Sequence, residues 1–152
     1  MAGKDFTPRQ LINRAIGKEV EANMMYEIYA EKVEDEQGKS LLKELAREEL
    51  AHKHTLEKIN PEKPGAFKSQ SLPTGEFIEF ADRPQITKQS TMQEVLRYAI
   101  GEEMEALSFY TSLSEYAGNE EVRGLLNRIA SEEKKHKDKL ERMYDEMYRP
   151  EN

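Results

Sequence analysis

AIGKEVEA, residues 15–22, and AIGEEMEA, residues 99–106, are nearly the same phrase written twice, 84 positions apart. At that offset residues 7–58 lie on residues 91–142 without a gap, and 19 of the 52 positions are identical. Agreement held in one register over that length marks an internal repeat. The fold therefore has to be built from two related halves.

Each half reads as a helical hairpin. Thr7 followed by Pro8 and Gln10 is a capping-box start with proline at the first helical position, and Thr91 with Glu94 repeats the cap. The spacing predicts a first helix to about Val33 and a third to about Tyr116. Asp35 and its counterpart Asn119 are short polar residues suited to cap the second and fourth helices, which run to about Ile59 and about Tyr148. Residues 60–90 are rich in Pro, Gly and Ser and have no helical period, so they read as a long connection. Within it EFIEF, residues 76–80, alternates as a short extended piece would. The expected organisation is one domain, 1–152, with hairpin 7–59, crossover 60–90 and hairpin 91–148. Two hairpins joined this way make an all-α four-helix bundle with one crossover.

The buried seams carry the chemistry. In the second helix Leu42, Leu45, Glu49, His52, Leu56 and Ile59 step by 3, 4, 3, 4, 3, and in the fourth Leu126, Ile129, Glu133, His136, Leu140 and Met143 do the same. That is the spacing of a bundle seam. A glutamate and a histidine three apart stand on adjacent turns of one face. The first helix adds Ile12, Ile16, Glu19, Asn23, Tyr26, Ala30 and Val33, and the third Leu96, Ile100, Glu103, Leu107, Tyr110 and Leu113. The bundle would thus gather Glu19, Glu49, His52, Glu103, Glu133 and His136 in its core. Four carboxylates out of water repel one another, and each pays several kcal/mol of desolvation. Two divalent cations carry the matching charge. Oxygen and imidazole donors without thiolate suit iron or manganese, with zinc possible.

Other repeated residues read differently. Glu48 and Glu132 fall off the seam phase and are assigned to solvated faces, with a bond to a ligand as the alternative. Glu21, Glu105 and His54 read as surface. Met24, Met25, Met143 and Met147 read as packing. Tyr26 and Tyr110 need partners for buried hydroxyls, and the seam carboxylates are near.

Composition narrows the field further. A net charge of -7 makes nucleic acid and anionic membrane poor partners. Zero cysteines exclude disulfides, iron–sulfur clusters and thiolate zinc sites. No apolar run reaches the ~20 residues of a membrane span, and MAGKDFTPRQ at residues 1–10 lacks a signal-peptide core. A cytoplasmic location is expected.

GKEVEANMMY (17–26), GEEMEALSFY (101–110), EELAH (48–52) and EEKKH (132–136) together resemble the rubrerythrin-like branch of the ferritin-like superfamily, over nearly the whole chain. The resemblance implies a di-iron centre on Glu19, Glu49, His52, Glu103, Glu133 and His136, and reduction of hydrogen peroxide or dioxygen. Tyr26 and Tyr110 are the candidate assisting residues beside it. Two departures stand out. Rubrerythrins proper carry a cysteine-ligated iron domain that supplies electrons, so this chain would need a separate donor protein. They also carry a further glutamate three residues after the third-helix ligand, where this chain has Ala106. Ferroxidase or iron storage, a manganese catalase-like or hydroxylating enzyme, and a structural adaptor are the alternatives. A homo-oligomer is expected, a dimer or a domain-swapped one.

Overall fold

In the computed structural model, which describes residues 5–73, 87 and 89–148, four helices follow one another. They are α1 (Pro8–Lys32), α2 (Glu36–Glu57), α3 (Met92–Glu115) and α4 (Glu120–Tyr148). α1 packs on α2 and α3 on α4 as hairpins, and α2 meets α4 where the two hairpins join.

The caps explain where the helices start. The Gln10 amide donates to Thr7 Oγ1 at 3.1 Å and the Thr7 amide to Gln10 Oε1 at 2.9 Å. Thr91 and Glu94 repeat this reciprocal pair at 3.1 and 2.9 Å. The Asp35 carboxylate accepts from the Gly38 amide at 2.7 Å and the Asn119 carbonyl oxygen from Val122 at 2.8 Å. Each cap contributes about 1 kcal/mol. Val33 and Tyr116 cap the C-termini of α1 and α3, so the predicted helix ends agree with the structure to within two residues.

The described part of the crossover is a strap closing one end of the bundle. Phe6 and Leu72 exchange backbone hydrogen bonds at 2.9 and 2.7 Å. Lys68 donates to the Tyr116 carbonyl and Gly118 to that of Ala66, both at 2.8 Å. A Cβ on Gly118 would lie 2.3 Å from the Gly65 carbonyl oxygen, and Gly65 itself has φ of 83°. Only glycine fits both places. The EFIEF segment lies outside the described residues.

The apolar core is in two pieces. One, at the strap end, holds Leu11, Ile12, Leu56, Phe67, Phe109 and Leu126. The other, at the far end, holds Tyr26, Leu42, Leu45, Leu96, Leu140 and Met143. On every helix the change from one piece to the other brackets the expected ligands: at Glu19 in α1, Glu49 and His52 in α2, Glu103 in α3, Glu133 and His136 in α4. A polar layer crosses the middle of the bundle.

The seams need one correction. Ile16, Asn23, Val33, Ile100 and Leu107 are only half-buried, while Leu11, Ala15, Val95, Ala99 and Phe109 are buried. A straight helix has 3.6 residues per turn, so a strict 3–4 pattern drifts off the buried face within a few turns. Met25 and Met143 pack in the core, but Met24 and Met147 are exposed. Among the described residues, no helix is long and apolar enough to cross a membrane.

Candidate metal centre

All six seam residues come together. Glu19, Glu49, His52, Glu103, Glu133 and His136 are each at most 3% exposed. They form two overlapping sets, Glu19, Glu49, His52 and Glu133 on one side and Glu49, Glu103, Glu133 and His136 on the other. Within each set one donor atom per residue lies within 4.8 Å of the others. Glu49 and Glu133 belong to both, so the repeat builds two half-sites that share two carboxylates.

Each of the six turns one buried atom inward that has no hydrogen-bond partner: Glu19 Oε2, Glu49 Oε1, His52 Nδ1, Glu103 Oε2, Glu133 Oε1 and His136 Nδ1. His52 Nδ1 is 2.9 Å from Glu133 Oε1 and His136 Nδ1 is 3.0 Å from Glu49 Oε1, but neither contact has hydrogen-bond geometry. Buried polar atoms are ordinarily paired, and an unpaired one costs about 1–3 kcal/mol or more when charged. Six converging orphans, all oxygen or imidazole nitrogen, suit a pair of cations.

The remaining atoms of these side chains are held from outside the cluster. Tyr26 of α1 donates to Glu103 Oε1 on α3 at 2.5 Å, and Tyr110 of α3 donates to Glu19 Oε1 on α1 at 2.8 Å. The two tyrosines enter from opposite apolar pieces, and each serves the other half's glutamate. Burial first, and then neighbouring carboxylates, raise both phenols well above the usual tyrosine range. Both therefore stay protonated and act as donors. His52 and His136 lie stacked, ring centroids 5.6 Å apart.

The seam phase puts Glu48 and Glu132 on solvated faces, and their side chains are 43% and 36% exposed. Their carboxylates nevertheless turn inward across the bundle. Glu132 of α4 sits 2.9 Å from His52 Nε2 on α2 and is hydrogen-bonded to it, whereas Glu48 of α2 sits 2.5 Å from His136 Nε2 on α4 without hydrogen-bond geometry, so those two atoms are also unpartnered. Periodicity on one helix does not show which residues reach the next. The available signal was that EE precedes both histidines by the same spacing. Glu21 and His54 are exposed, with His54 3.4 Å from Glu57 on its own helix. Glu105 is half-buried.

Electrostatics show how crowded the layer is. Burial first, then repulsion from Glu103 and Glu19, pushes Glu49 and Glu133 well above the usual carboxylate range. Burial pushes Glu103 up too, but His136, Glu133 and Tyr26 stabilise its charge and hold it below its usual value. For His52 burial acts downward, and the carboxylates of Glu19, Glu49 and Glu132 override it to about 9. His136 is raised by Glu103, Glu133 and Glu49 against the same burial. These directions are those of a buried acid cluster that needs positive charge, from protons or from cations.

Comparisons with known proteins give the family and the fold. The rubrerythrin family model matches the chain twice, over residues 10–93 and 94–152, one match for each half. A solved structure from Thermotoga maritima, described as a ferritin-like diiron-carboxylate protein, superposes with a TM-score of 0.82 at 26% identity. That match covers 95% of this chain and 99% of that one. A hypothetical protein from Pyrococcus furiosus gives 0.72 at 28% identity, over 89% and 86% of the two chains. No curated protein matches. The fold is the ferritin-like bundle of two repeated hairpins, and the buried glutamate–histidine cluster is consistent with two iron ions.

Proposed function

The chain belongs to the rubrerythrin family, and from that premise we propose that it is a di-iron oxidoreductase reducing hydrogen peroxide or dioxygen with electrons from a separate donor protein. The observation that carries the reading is the set of six inward orphan atoms arranged as two half-sites around Glu49 and Glu133. Glu19 and His52 would hold one ion, Glu103 and His136 the other, and Glu49 and Glu133 would serve both. Iron bound there supplies Lewis acidity and reversible changes of oxidation state.

The chain's own residues do the rest. Four carboxylates match the charge of two divalent cations, so the loaded centre is near neutral and tolerates burial. Glu132 accepts from Nε2–H of His52 and the Glu48 carboxylate lies against Nε2 of His136, so the Nδ1 atoms of both rings are left facing the cluster. Tyr26 and Tyr110 keep their protons at the hydroxyl and fix one oxygen each of Glu103 and Glu19, the glutamates that serve a single half-site. The two apolar pieces above and below keep bulk water out. Ala106 is a buried methyl packed in the strap-end apolar piece. No carboxylate stands at that position to enter the site, and the ligand set stays at two histidines and four glutamates. The sequence holds no cysteine for a thiolate-ligated iron relay, which supports a separate protein as the electron donor.

The test is anaerobic loading with Fe(II), challenge with peroxide and separately with oxygen, and stopped-flow absorbance. A ferric band that forms and is bleached by reductant, over repeated cycles with iron retained, supports the reading. Iron that leaves after one oxidation overturns it in favour of iron handling. A loaded protein inert to both oxidants overturns it altogether.

A further inference from the structure

The two apolar pieces differ in redox chemistry. A phenol or a thioether can lose an electron to a strong oxidant, whereas aliphatic side chains and phenylalanine resist it. Five of the chain's seven tyrosines belong to the far-end piece: Tyr26, Tyr29 and Tyr144 are buried in it, and Tyr98 and Tyr148 pack against it. Met25, Met92 and Met143 lie there too. The strap-end piece has Tyr110, with Tyr116 packed against it, and among the described residues no methionine. The repeat supplies a control. The counterparts of Met25 and Tyr29, 84 residues on, are Phe109 and Leu113, so bulk at these positions does not require an oxidisable group. The helices differ as well. α2 ends at Glu57, the counterpart of Glu141, but α4 runs on to Tyr148. That added stretch carries Tyr144 and Tyr148.

These groups form a line from the metal centre to the surface. Tyr26 is fully buried and donates to Glu103 Oε1 at 2.5 Å. Tyr144 stands about two turns beyond His136 on α4, and Tyr148 about one turn further. Gln93 of α3 donates to the Tyr144 hydroxyl at 2.9 Å. The rings of Tyr144 and Tyr148 are 5.3 Å apart between centroids. Tyr144 is 9% exposed and Tyr148 is half-buried. Tyr29 is off this line, because the Lys32 ammonium 4.8 Å from its ring centroid makes loss of an electron from that ring costlier.

Dioxygen needs such a route. Its reduction to two waters takes four electrons and four protons, and a di-ferrous centre holds only two of the electrons. We propose that the other two pass through Tyr26, Tyr144 and Tyr148, and that Tyr148, at the end of α4, is where they enter from the outside donor. The inference rests on the di-iron reading above. In each transfer Tyr26 loses an electron to the centre while its hydroxyl proton shifts to Glu103 Oε1. Both are restored as Tyr144, and then Tyr148, gives up an electron in turn. With a donor present, the donor is oxidised and Tyr148 is a phenol again. Without one, the two transfers leave phenoxyl radicals on Tyr148 and then Tyr144, each having lost an electron to the centre and a proton to solvent.

Freeze-quenched electron paramagnetic resonance tests this on the full chain, loaded anaerobically with Fe(II) and given dioxygen without reductant. A phenoxyl signal should accompany the ferric absorbance. Peptide mass spectrometry should then find oxidised or cross-linked tyrosine at Tyr144 and Tyr148, and none at Tyr110 or Tyr116. Tyr26→Phe should lose the signal and these marks while the ferric band still forms. Tyr148→Phe should lose cross-links between chains and keep a radical on Tyr144. Tyr116→Phe should change neither readout, and the metal-free protein should show no radical. Unchanged far-UV circular dichroism shows that the variants fold. A ferric band without a radical overturns the proposal and leaves the di-iron reading standing. So does a radical seated on the strap-end tyrosines, one that survives Tyr26→Phe, or one that forms without metal. A loaded protein that forms no ferric band with dioxygen or peroxide overturns both.

Discussion

Set the two hairpins side by side, one inner face on the other. Glu49 and His52 of α2 match Glu133 and His136 of α4. Glu19 with Tyr26 of α1 matches Glu103 with Tyr110 of α3, and even the capping distances repeat. Set the outer faces together and the likeness ends: Met24, Ile28, Leu50, Lys43 and Arg47 stand where the second hairpin has Ser108, Ser112, Lys134, Asn127 and Ser131. The inner faces are constrained alike because each half supplies half of one polar layer. The outer faces answer only to what each meets outside the molecule.

If the inner likeness means a shared metal centre, removing metal should produce the largest effect. A ligand that binds only the folded state adds RT ln(1 + [L]/Kd), about 4 kcal/mol at a thousandfold excess over Kd. Verified chelation should lower the melting temperature measured by calorimetry by several degrees. An unchanged melting curve would break the reading of the polar layer as a metal layer.

The histidines divide that effect between the halves. His52→Ala and His136→Ala should each lose about one of two ions. His54→Ala, on an exposed residue, should lose none. Metal analysis of the three purified variants decides it. Equal losses from His52→Ala and His136→Ala sharpen the two-fold reading. A loss from His54→Ala alone would overturn the assignment of both half-sites.

These expectations began in the sequence, and particular residues show how far it reached. The six seam residues were legible because a glutamate in an apolar phase, repeated at 84 positions, has few other reasons to be there. Thr7 and Asp35 were legible because a cap needs only its own next turn. The strap was legible only as an absence of helix. That Phe67 and Leu72 plug one end of the bundle, and that Gly118 must be glycine because Gly65 crosses it, are facts of tertiary contact. The same limit hid Glu48 and Glu132, whose partners are on another helix. It also left Met24 read as packing, since one helix does not declare which of its faces is covered.

The tyrosines give the next effect down. Tyr26→Phe and Tyr110→Phe each remove the donor to a buried carboxylate, which costs about 1–3 kcal/mol when the acceptor is left unpaired. Urea unfolding of the metal-free protein measures it. Tyr26→Phe should cost more, because its bond to Glu103 is 2.5 Å against 2.8 Å for Tyr110 to Glu19. The reverse order would show that hydroxyl distance does not rank the halves.

The smallest effect falls where the inner likeness first fails. Glu48 and Glu132 each set a carboxylate against a histidine Nε2, His136 and His52, but only the Glu132 contact has hydrogen-bond geometry, and their neighbours differ. Glu132 is also 3.5 Å from Arg128 on its own helix. The residue equivalent to Arg128 in the first hairpin is Glu44, which turns away to Lys139 at 2.7 Å. Arg128 draws on the charge of Glu132 and leaves less of it for His52. Glu48, with no such competitor within its turn, stands closer to its histidine, at 2.5 Å against 2.9 Å. Losing a carboxylate behind a ligating histidine commonly weakens metal binding 10–100-fold. Glu48→Gln should therefore lie toward the upper end of that range and Glu132→Gln near the lower, about tenfold. Arg128→Ala should narrow the gap by freeing Glu132 for His52. Competitive titration with a chromophoric chelator reads each affinity. If Glu132→Gln proves the more damaging, exposure and local pairing do not set the strength of these contacts, and the two half-sites differ for a reason seated among the ligands themselves.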